Sequence, residues 1–335
     1  MQSYNELYDK VNTYIESIDY PSQPEGLYAP IKYVLSLGGK RIRPVLMLMA
    51  YNLYRNDVDT IMPQAIGLET YHNFTLLHDD LMDKADMRRG NPTVHKRWND
   101  NTAILSGDAM LICAYRLFTD KRGNNDDNAQ NGLTQNLLAA LQTFNDATLG
   151  VCDGQQYDIE FETRNDVSES EYMEMIRLKT SLLLACALKI GAQLAGASAE
   201  EANLLYDFGE KMGLAFQLQD DLLDVYGDPS VFGKKIGGDI LCNKKTFMLI
   251  KALELSDTET HNTLQEWIDR TNYTPNEKIA AVTAIYDKVG IRQICESKIE
   301  ALFADALRSL DRVKVDEAKK QPLREFAHNL LKRNK

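Results

Sequence analysis

The chain has 335 residues, of which 44% are hydrophobic and 26% charged, as in an average globular protein. Its formal net charge of −11 argues against nucleic acid as the main partner. No apolar run reaches the roughly 18 to 20 residues of a membrane span, and the N-terminus lacks a secretory pattern. We therefore expect a cytoplasmic protein without stable membrane insertion. Its five widely spaced cysteines predict reduced, mostly buried thiols, without a disulfide framework or zinc site.

Helical periodicity runs through nearly every long segment, and alternating strand patterns are scarce. In chain order, helices are predicted over about 64–83, 102–118, 132–148, 170–196, 198–224, 246–255, 276–289, 291–309 and 323–332. Pro44 suits the first turn of a further helix, and Ser168 is a predicted N-cap before an acidic turn. No break is long enough for a clear interdomain linker, so the sequence predicts a single all-α domain over residues 1–335.

Two predicted helices end in the same aspartate pattern, D-D-x-x-D. The copies are Asp79, Asp80 and Asp83 in LLHDDLMDKADMRRG, and Asp220, Asp221 and Asp224 in FQLQDDLLD. One copy is a weak signal in a chain of this length. Two copies that each end an apolar helix are far less frequent by chance, so the pattern indicates a function.

The spacing explains which metal the aspartates suit. Residues four apart lie on one helix face, about 6 Å apart, so Asp79 and Asp83 point the same way. Asp80 and Asp221 are rotated by about 100° and are predicted to be outer or alternate ligands. Clustered carboxylates suit Mg²⁺, which bridges protein carboxylates to substrate phosphates. Two clusters facing each other across a cavity are expected to hold several Mg²⁺ ions around one diphosphate. The alternative is two solvated acidic helix ends, which the helix dipole disfavours.

Basic residues accompany both aspartate clusters. GGKRIRP, residues 38–44, is a glycine-rich turn with Lys40, Arg41 and Arg43, whose backbone and side chains can approach an anion. It lacks the spacing of a Walker loop. The other cations are Arg88, Arg89, Lys179, Lys234, Lys235 and Lys244. The side chains of the adjacent Arg88 and Arg89 are predicted to diverge by about 100°, so the pair could serve two different anions. In an acidic protein these residues predict two anion sites, one bridged by metal and one held by Lys and Arg.

These motifs resemble the trans-isoprenyl (polyprenyl) diphosphate synthases of short or medium chain length, similar to geranylgeranyl or farnesyl diphosphate synthases. The resemblance runs from GGKRIRP through HDDLMDKADMRRGNPTVH, LKT and GLAFQLQDDLLD to GKKIGGDILCNK, with matching order and spacing. It implies an isoprenoid-synthase-like helical bundle around a deep central cavity and a homodimer. It also implies a prenyltransferase that couples an allylic diphosphate to isopentenyl diphosphate with Mg²⁺.

The resemblance assigns roles residue by residue. The metal ligands would be Asp79, Asp80, Asp83, Asp220, Asp221 and Asp224, and the catalytic groups Asp79, Asp83, Asp220, Lys179 and Arg88. Isopentenyl diphosphate would contact Gly39, Lys40, Arg43, His72 and Arg89. The allylic diphosphate would contact Arg88, Lys179, Thr180, Gln217, Lys234 and Lys244. FGKKIGG has two lysines where one is usual, so either Lys234 or Lys235 holds that place.

The predicted mechanism is ionisation followed by coupling. Mg²⁺ and the cations neutralise the diphosphate as the C–O bond breaks, which favours an allylic cation. An apolar cavity excludes the water that would quench this cation. The double bond of isopentenyl diphosphate then attacks, and a proton is lost to the departing diphosphate.

The helix before Asp79 is predicted to form the cavity wall that limits product length. Thr75 and Tyr71 lie one and two turns before Asp79, roughly 6 to 12 Å along the helix, with Phe74 alongside. Ordinary aromatic packing is the alternative. The resemblance favours a stop, because the family often places one five positions before the motif, where Phe74 lies. We therefore expect a product of C15–C20, geranylgeranyl or farnesyl diphosphate.

Other functions fit the sequence less well. A longer-chain polyprenyl diphosphate synthase would more comfortably carry a small residue at position 74. A terpene cyclase would not need the cations of GGKRIRP, and a non-catalytic partner subunit should have lost motif aspartates. A generic metal-binding scaffold leaves Lys40, Arg43, Arg89 and Lys179 unexplained.

Overall fold

The computed structural model describes residues 2–120, 130–228 and 236–331. Its helices are α1 Tyr4–Ser17, α2 Glu25–Ser36, α3 Ile42–Asn52, α4 Met62–Met82, α5 Val94–Arg97, α6 Asp100–Phe118, α7 Gln130–Thr163, α8 Glu169–Ile176, α9 Leu182–Leu194, α10 Ala199–Tyr226, α11 Gly238–Leu241, α12 Phe247–Leu255, α13 Thr258–Asp269, α14 Pro275–Val289, α15 Ile291–Asp311 and α16 Glu317–Leu331. A 3₁₀ turn covers Val58–Ile61 and a π-helical turn Arg177–Ser181. Strands β1 Met87–Arg88 and β2 Asn91–Pro92 form a small antiparallel hairpin. The all-α prediction is confirmed.

The chain divides into two compact units. Unit 1 comprises Met1–Phe144, Ala187–Asn203 and Lys314–Leu323. Unit 2 comprises Asn145–Cys186, Leu204–Val313 and Arg324–Lys335. The first aspartate motif therefore belongs to unit 1 and the second to unit 2.

Unit 1 is centred on α4, which packs closely against α6. A Cβ added at Gly67 of α4 would lie 2.8 Å from the carbonyl oxygen of Ala114, and one at Gly107 of α6 would overlap the ring of His78. Because residue 67 meets residue 114 while 78 meets 107, the two helices run antiparallel. Small residues at the crossings allow this close approach, which holds the aspartate end of α4 against the start of α6.

Unit 2 has its own hydrophobic core. Leu218 and Leu222 of α10 pack in one cluster with Tyr172 of α8, Phe247 of α12 and Tyr286 of α14, all at most 5% exposed. The same face of α10 is buried over several turns, which is the stripe expected of a helix packed against several neighbours. Burial of this face fixes the rotation of α10, and so the direction of the second aspartate motif.

Most predicted helices were found, with two kinds of difference. Ser168 caps α8 in a capping box with Glu171, and Pro44 lies in the first turn of α3, both as predicted. The predicted end of α7 near residue 148 was wrong, because the helix continues to Thr163. Gly150 and Gly154 are poor helix formers, but their missing side chains let α7 pack tightly on residues 178–182. Helices α1, α2 and α13 and the four-residue α5 and α11 were not predicted, and α13 buries only Thr260 and Leu264.

The composition also led to predictions about membrane spans and about the cysteines. Within the described ranges, no helix is long and apolar enough to cross a membrane. Of the five cysteines, Cys186 and Cys295 are buried, Cys113 is half-buried, and Cys152 and Cys242 are exposed. The expectation that the cysteines are mostly buried was therefore wrong.

Candidate active site

The first aspartate motif lies at the C-terminal end of α4. The helical hydrogen bonding extends through the motif, since the Asp83 N–H donates to the Asp79 carbonyl at 2.9 Å. Asp79 and Asp83 therefore share a helix face, and Asp83 is exposed. Asp80 points elsewhere and is 5% exposed. Arg88 holds it with two hydrogen bonds, from Nε at 2.6 Å and Nη2 at 2.7 Å. Asp80 is thus occupied by a bidentate ion pair.

The hairpin after the motif sends its two arginines in different directions. Its turn has left-handed residues at Arg89 and Gly90, with φ of 52° and 76°, a geometry typical of tight hairpin turns. Arg88 faces Asp80, whereas Arg89 Nη1 donates to the carbonyl of Gly38. The predicted divergence of this pair is confirmed, and Arg89 links the hairpin to the glycine-rich turn.

The glycine-rich turn depends on unusual backbone angles. Gly39 has a φ of 129°, and a Cβ there would lie 2.7 Å from the guanidinium carbon of Arg89. Arg41 is also left-handed, and this conformation directs its side chain inward. There it forms a buried ion pair with Glu69 at 2.9 Å and donates to the Leu35 carbonyl at 2.6 Å. Arg41 therefore anchors the turn on α4, while Lys40 is exposed.

His72 lies at the centre of a strongly positive region, which we call the arginine cluster: Arg41, Arg43, Arg88 and Arg89. Its Nε2 accepts a hydrogen bond from Arg43 Nη1 at 2.9 Å. Burial, followed by the charges of Arg43 and Arg89, holds the pKa of His72 well below its usual value. The imidazole is therefore neutral at physiological pH.

Two members of the arginine cluster, Arg43 and Arg89, differ from the other two in their hydrogen-bond partners. Burial lowers the pKa of Arg43 to about 10, and its buried Nε has no hydrogen-bond partner. Within the described residues, neither Arg43 nor Arg89 has a carboxylate in hydrogen-bond contact, whereas Arg41 and Arg88 do. A buried donor without a partner is costly, so Arg43 Nε favours an anion that accepts from it, and the exposed Arg89 can donate to the same anion.

The predicted chain-length residues lie on α4 below the motif. Tyr71 is 1% exposed and packs edge-on against Phe144, with ring centroids 5.5 Å apart. Phe74 is half-buried between Tyr71 at 5.5 Å and the ring of His78 at 4.8 Å. Thr75 Oγ1 donates to the His72 carbonyl at 2.8 Å. Tyr71 thus belongs to the aromatic core, and Phe74 lies at its edge.

The second motif, in α10, is held by a hydrogen-bonded chain. Thr180 Oγ1 donates to Gln217 Oε1 at 3.0 Å, and Gln217 Nε2 donates to Asp221 Oδ1 at 3.0 Å. Tyr172 Oη donates to the other Asp221 oxygen. Burial raises the pKa of Asp221 above its ordinary value, against the opposing effect of its donors and of Lys244. Both Asp221 oxygens are therefore used within unit 2.

Lys179 projects from the π-helical turn. Its Nζ lies 2.6 Å from Asp158 Oδ2 of α7. A Cβ at Gly213 of α10 would lie 2.6 Å from Ser181 Cα, and one at Gly154 of α7 would lie 2.8 Å from Leu178 Cβ. Close packing on both sides fixes this turn, and π-helical turns of this kind frequently occur at functional sites.

Lys244 lies among carboxylates. Its Nζ is 3.9 Å from Asp239 Oδ1. Burial lowers the pKa of Lys244, but the surrounding carboxylates more than offset this and raise it above its ordinary value. The contributing groups are Asp239, Asp221, Asp158 and Asp224. Unit 2 therefore concentrates negative charge around one lysine.

Sequence reasoning missed three residues of this region. Asp158 was overlooked because it lies in the part of α7 that was not predicted. Asp239 was quoted within GKKIGGD but given no role, although the Asp239 N–H donates to Asp224 Oδ2 at 2.9 Å. No sequence pattern around Tyr172 indicates a role in the site, because only the fold brings this residue to Asp221. Lys234 and Lys235 lie outside the described residues.

The donor set of both motifs fits Mg²⁺. Among the described residues, no three Asp, Glu, His or Cys side chains form a ready-made metal cage. Mg²⁺ does not need one, because it commonly binds one or two carboxylates together with waters and substrate phosphates. Oxygen-only side chains at Asp79, Asp83 and Asp220, and the negative field that acts on Lys244, match this preference.

Comparison with known proteins identifies the family. The Polyprenyl synthetase family model matches residues 24–287. A geranylgeranyl diphosphate synthase of Methanosarcina mazei is 38% identical over 244 residues, which is 73% of this chain and 72% of that protein. A crystal structure of a geranylgeranyl pyrophosphate synthase has a TM-score of 0.91 at 42% identity, with 100% of both chains covered. The synthetase from the archaeon Geoglobus acetivorans has a TM-score of 0.84 at 31% identity, covering 98% of this chain and 99% of that one.

The chain therefore belongs to the polyprenyl synthetase family. It is a trans-isoprenyl diphosphate synthase, a prenyltransferase, as the sequence motifs predicted. Members of this family generally use Mg²⁺, and their substrates are an allylic diphosphate and isopentenyl diphosphate.

Proposed function

We propose that this chain condenses an allylic diphosphate with isopentenyl diphosphate, head to tail, to give a product of about C15–C20 and inorganic diphosphate. The names of the relatives above, geranylgeranyl diphosphate and pyrophosphate synthases, support this length. The observation that carries the proposal is the arginine cluster beside the first aspartate motif. The buried Nε of Arg43 has no hydrogen-bond partner, and within the described residues neither Arg43 nor Arg89 hydrogen-bonds to a carboxylate. An anion as highly charged as a diphosphate matches this cluster.

In unit 1, we propose that isopentenyl diphosphate is bound by Arg43, Arg89 and Gly39. The exposed Lys40 would contact the diphosphate once it is bound. His72 keeps Arg43 in place, because its lone pair accepts from Nη1. That lone pair is therefore engaged, and the proton lost after C–C bond formation is proposed to pass to the departing diphosphate.

In unit 2, Lys179 and Lys244 are proposed to bind the allylic diphosphate, with Thr180 and Gln217 as polar contacts. Arg88 remains a predicted contact of this substrate. Asp79, Asp83 and Asp220 are proposed Mg²⁺ ligands, and Asp80, Asp221 and Asp224 outer ones. When bound, Mg²⁺ would supply charge neutralisation as the C–O bond breaks. Lys179 and Lys244 now pair with carboxylates, and a diphosphate would replace those partners. Lys234 or Lys235 remains a predicted contact.

We further propose that the chain acts as a homodimer through α6. Ile104, Leu105 and Ile112 of this helix are 47%, 61% and 67% exposed, although large apolar side chains are normally buried. Clustered exposed apolar residues mark association surfaces, and a second copy of the same helix is a matching partner. The chain is proposed to work as one catalytic domain in the cytoplasm, where cysteines remain reduced.

The test is a product assay. Purified protein is incubated with Mg²⁺, labelled isopentenyl diphosphate and dimethylallyl, geranyl or farnesyl diphosphate, and product length is measured. Asp79→Ala and Asp220→Ala are each expected to lower turnover by orders of magnitude, whereas the exposed Asp269→Ala serves as a control. Failure to form product with every primer would refute the proposed function, and near-normal rates in either motif variant would refute the metal assignment.

A further inference from the structure

Lys278 of α14 is an unusual buried residue. Only 1% of its surface is exposed, and burying an ammonium is costly unless it is well paired. Within the described residues, Lys278 has no carboxylate partner. Its Nζ instead donates to Asn243 Oδ1 at 2.6 Å and lies 4.5 Å from the centre of the Tyr273 ring. A buried charge held in this way must be supported by its surroundings, and its contacts point to one particular turn.

The contacts of Lys278 converge on Asn243, which has a left-handed backbone. Its φ is 52°, a region that side chains rarely adopt and that asparagine tolerates better than most. Asn243 Nδ2 donates to the Ile268 carbonyl at the end of α13, at 3.0 Å. The Asn243 amide is therefore fixed at both ends, by Lys278 on its oxygen and by α13 on its nitrogen.

The residue after Asn243 is Lys244, the cation of the second motif. The Lys244 N–H donates to the Asp239 carbonyl at 2.9 Å, and its Nζ lies 3.9 Å from the Asp239 carboxylate. Because the backbone angles of residue 243 set the direction of the chain into residue 244, fixing Asn243 also fixes where Lys244 points.

We propose that Lys278 is a positioning residue for diphosphate binding: through Asn243, it holds the left-handed turn that directs Lys244 to the substrate. This inference rests on the proposed function, since it assigns Lys244 to the allylic diphosphate. Lys278 itself is buried and does not touch substrate.

The first experiment removes the ammonium with Lys278→Met. We expect the KM for geranyl diphosphate and the dissociation constant for inorganic pyrophosphate with Mg²⁺, measured by calorimetry, each to rise about tenfold. The KM for isopentenyl diphosphate should stay within twofold. The matched control is Lys288→Met on the same helix, where Lys288 is 59% exposed and contacts Asp257 at 3.7 Å. It should leave all three constants unchanged.

A double-mutant cycle separates positioning from a general loss of structure. Glycine adopts a positive φ without strain, so Asn243→Gly keeps the turn accessible but removes the oxygen that Lys278 contacts. In that background, Lys278→Met should have less than a twofold further effect on pyrophosphate affinity. Melting temperatures of all variants report unfolding independently, and only variants folded at the assay temperature enter the cycle.

The outcomes distinguish this inference from the proposed function. Product formation by the wild type, with weaker pyrophosphate binding in Lys244→Gln, supports the proposed function alone. Wild-type pyrophosphate affinity in Lys278→Met would overturn the positioning role, as would equal effects of Lys278→Met in both backgrounds. A wild type without product or pyrophosphate binding would overturn both.

Discussion

Tyr172→Phe removes one hydroxyl from the centre of unit 2. That hydroxyl donates to Asp221, a carboxylate that is 3% exposed and has a raised pKa because of its burial. In the variant, Gln217 remains the only hydrogen-bond donor described for the Asp221 side chain. The phenylalanine ring fills nearly the same volume, so the change is electrostatic rather than steric.

The magnitude follows from the lost bond. A hydrogen bond to a charged group contributes about 1.5–3 kcal/mol, and one pKa unit corresponds to about 1.4 kcal/mol. Losing a donor to the ionised carboxylate should therefore raise the pKa of Asp221 further. Since the ionised form accepts from Gln217 and supports Lys244, the acidic limb of activity should move to higher pH, by about 1–2 pH units for a loss of this size.

The assay is the pH dependence of kcat/KM for the allylic substrate, from pH 5 to 9. Tyr226→Phe is the matched control, because its hydroxyl also donates to a carboxylate of unit 2, Asp287, at 2.9 Å, outside the motif. It should leave the acidic limb in place. An unshifted limb in Tyr172→Phe, or an equal shift in both variants, would refute the role given to this hydrogen bond.

Three further predictions address unit 1. Phe74→Ala should lengthen the product by one or more isoprene units, as measured by chromatography of labelled products. Wild-type melting temperature should fall more steeply than that of His72→Gln as pH drops below about 6.5. Below this pH the unfolded chain binds a proton at His72 before the folded chain does. The free energy of unfolding therefore falls by about 1.4 kcal/mol per pH unit for this one proton. Ile112→Asp should convert dimers to monomers in sedimentation, because it places a charge on the exposed face of α6.

Each of these predictions has a control or a contrary result. Phe303→Ala changes a phenylalanine of unit 2 that packs on His328 and should keep the wild-type product. Identical product lengths for Phe74→Ala would remove Phe74 as a stop. Parallel melting curves of wild type and His72→Gln between pH 4.5 and 8 would contradict the lowered pKa of His72. Leu255→Asp places the same charge at an exposed leucine outside α6 and should leave dimers intact. Dimers that persist in Ile112→Asp would exclude α6 as the interface.

The sequence predicted those features that a local pattern determines. An apolar helix that ends in D-D-x-x-D places Asp79 and Asp83 on one face whatever else surrounds it. Adjacent arginines at a tight turn diverge for the same local reason, as Arg88 and Arg89 do. The helical class also follows from periodicity alone, because helix hydrogen bonds are made within each segment.

The sequence could not show which partner each charge finds. Arg41 and Arg43 are two residues apart in one motif, yet Arg41 is paired with buried Glu69, whereas the Nε of Arg43 has no hydrogen-bond partner. The choice depends on a left-handed φ and on a carboxylate 28 residues away. Lys278 and Tyr172 illustrate the same limit, because their partners are distant in the chain and meet only after packing.

The glycines beside the π-helical turn have a consequence for engineering. A methyl group at Gly154 or Gly213 would overlap the backbone of residues 178–181, whereas one at Gly150 would meet only the side-chain ends of Leu178 and Leu182. A larger residue at Gly154 or Gly213 must displace the backbone around Lys179, so libraries made to change the product will lose active clones at these two positions. Diversity is better placed around Phe74, because a change of volume there is expected to alter product length and does not involve the glycines that pack on the turn of Lys179.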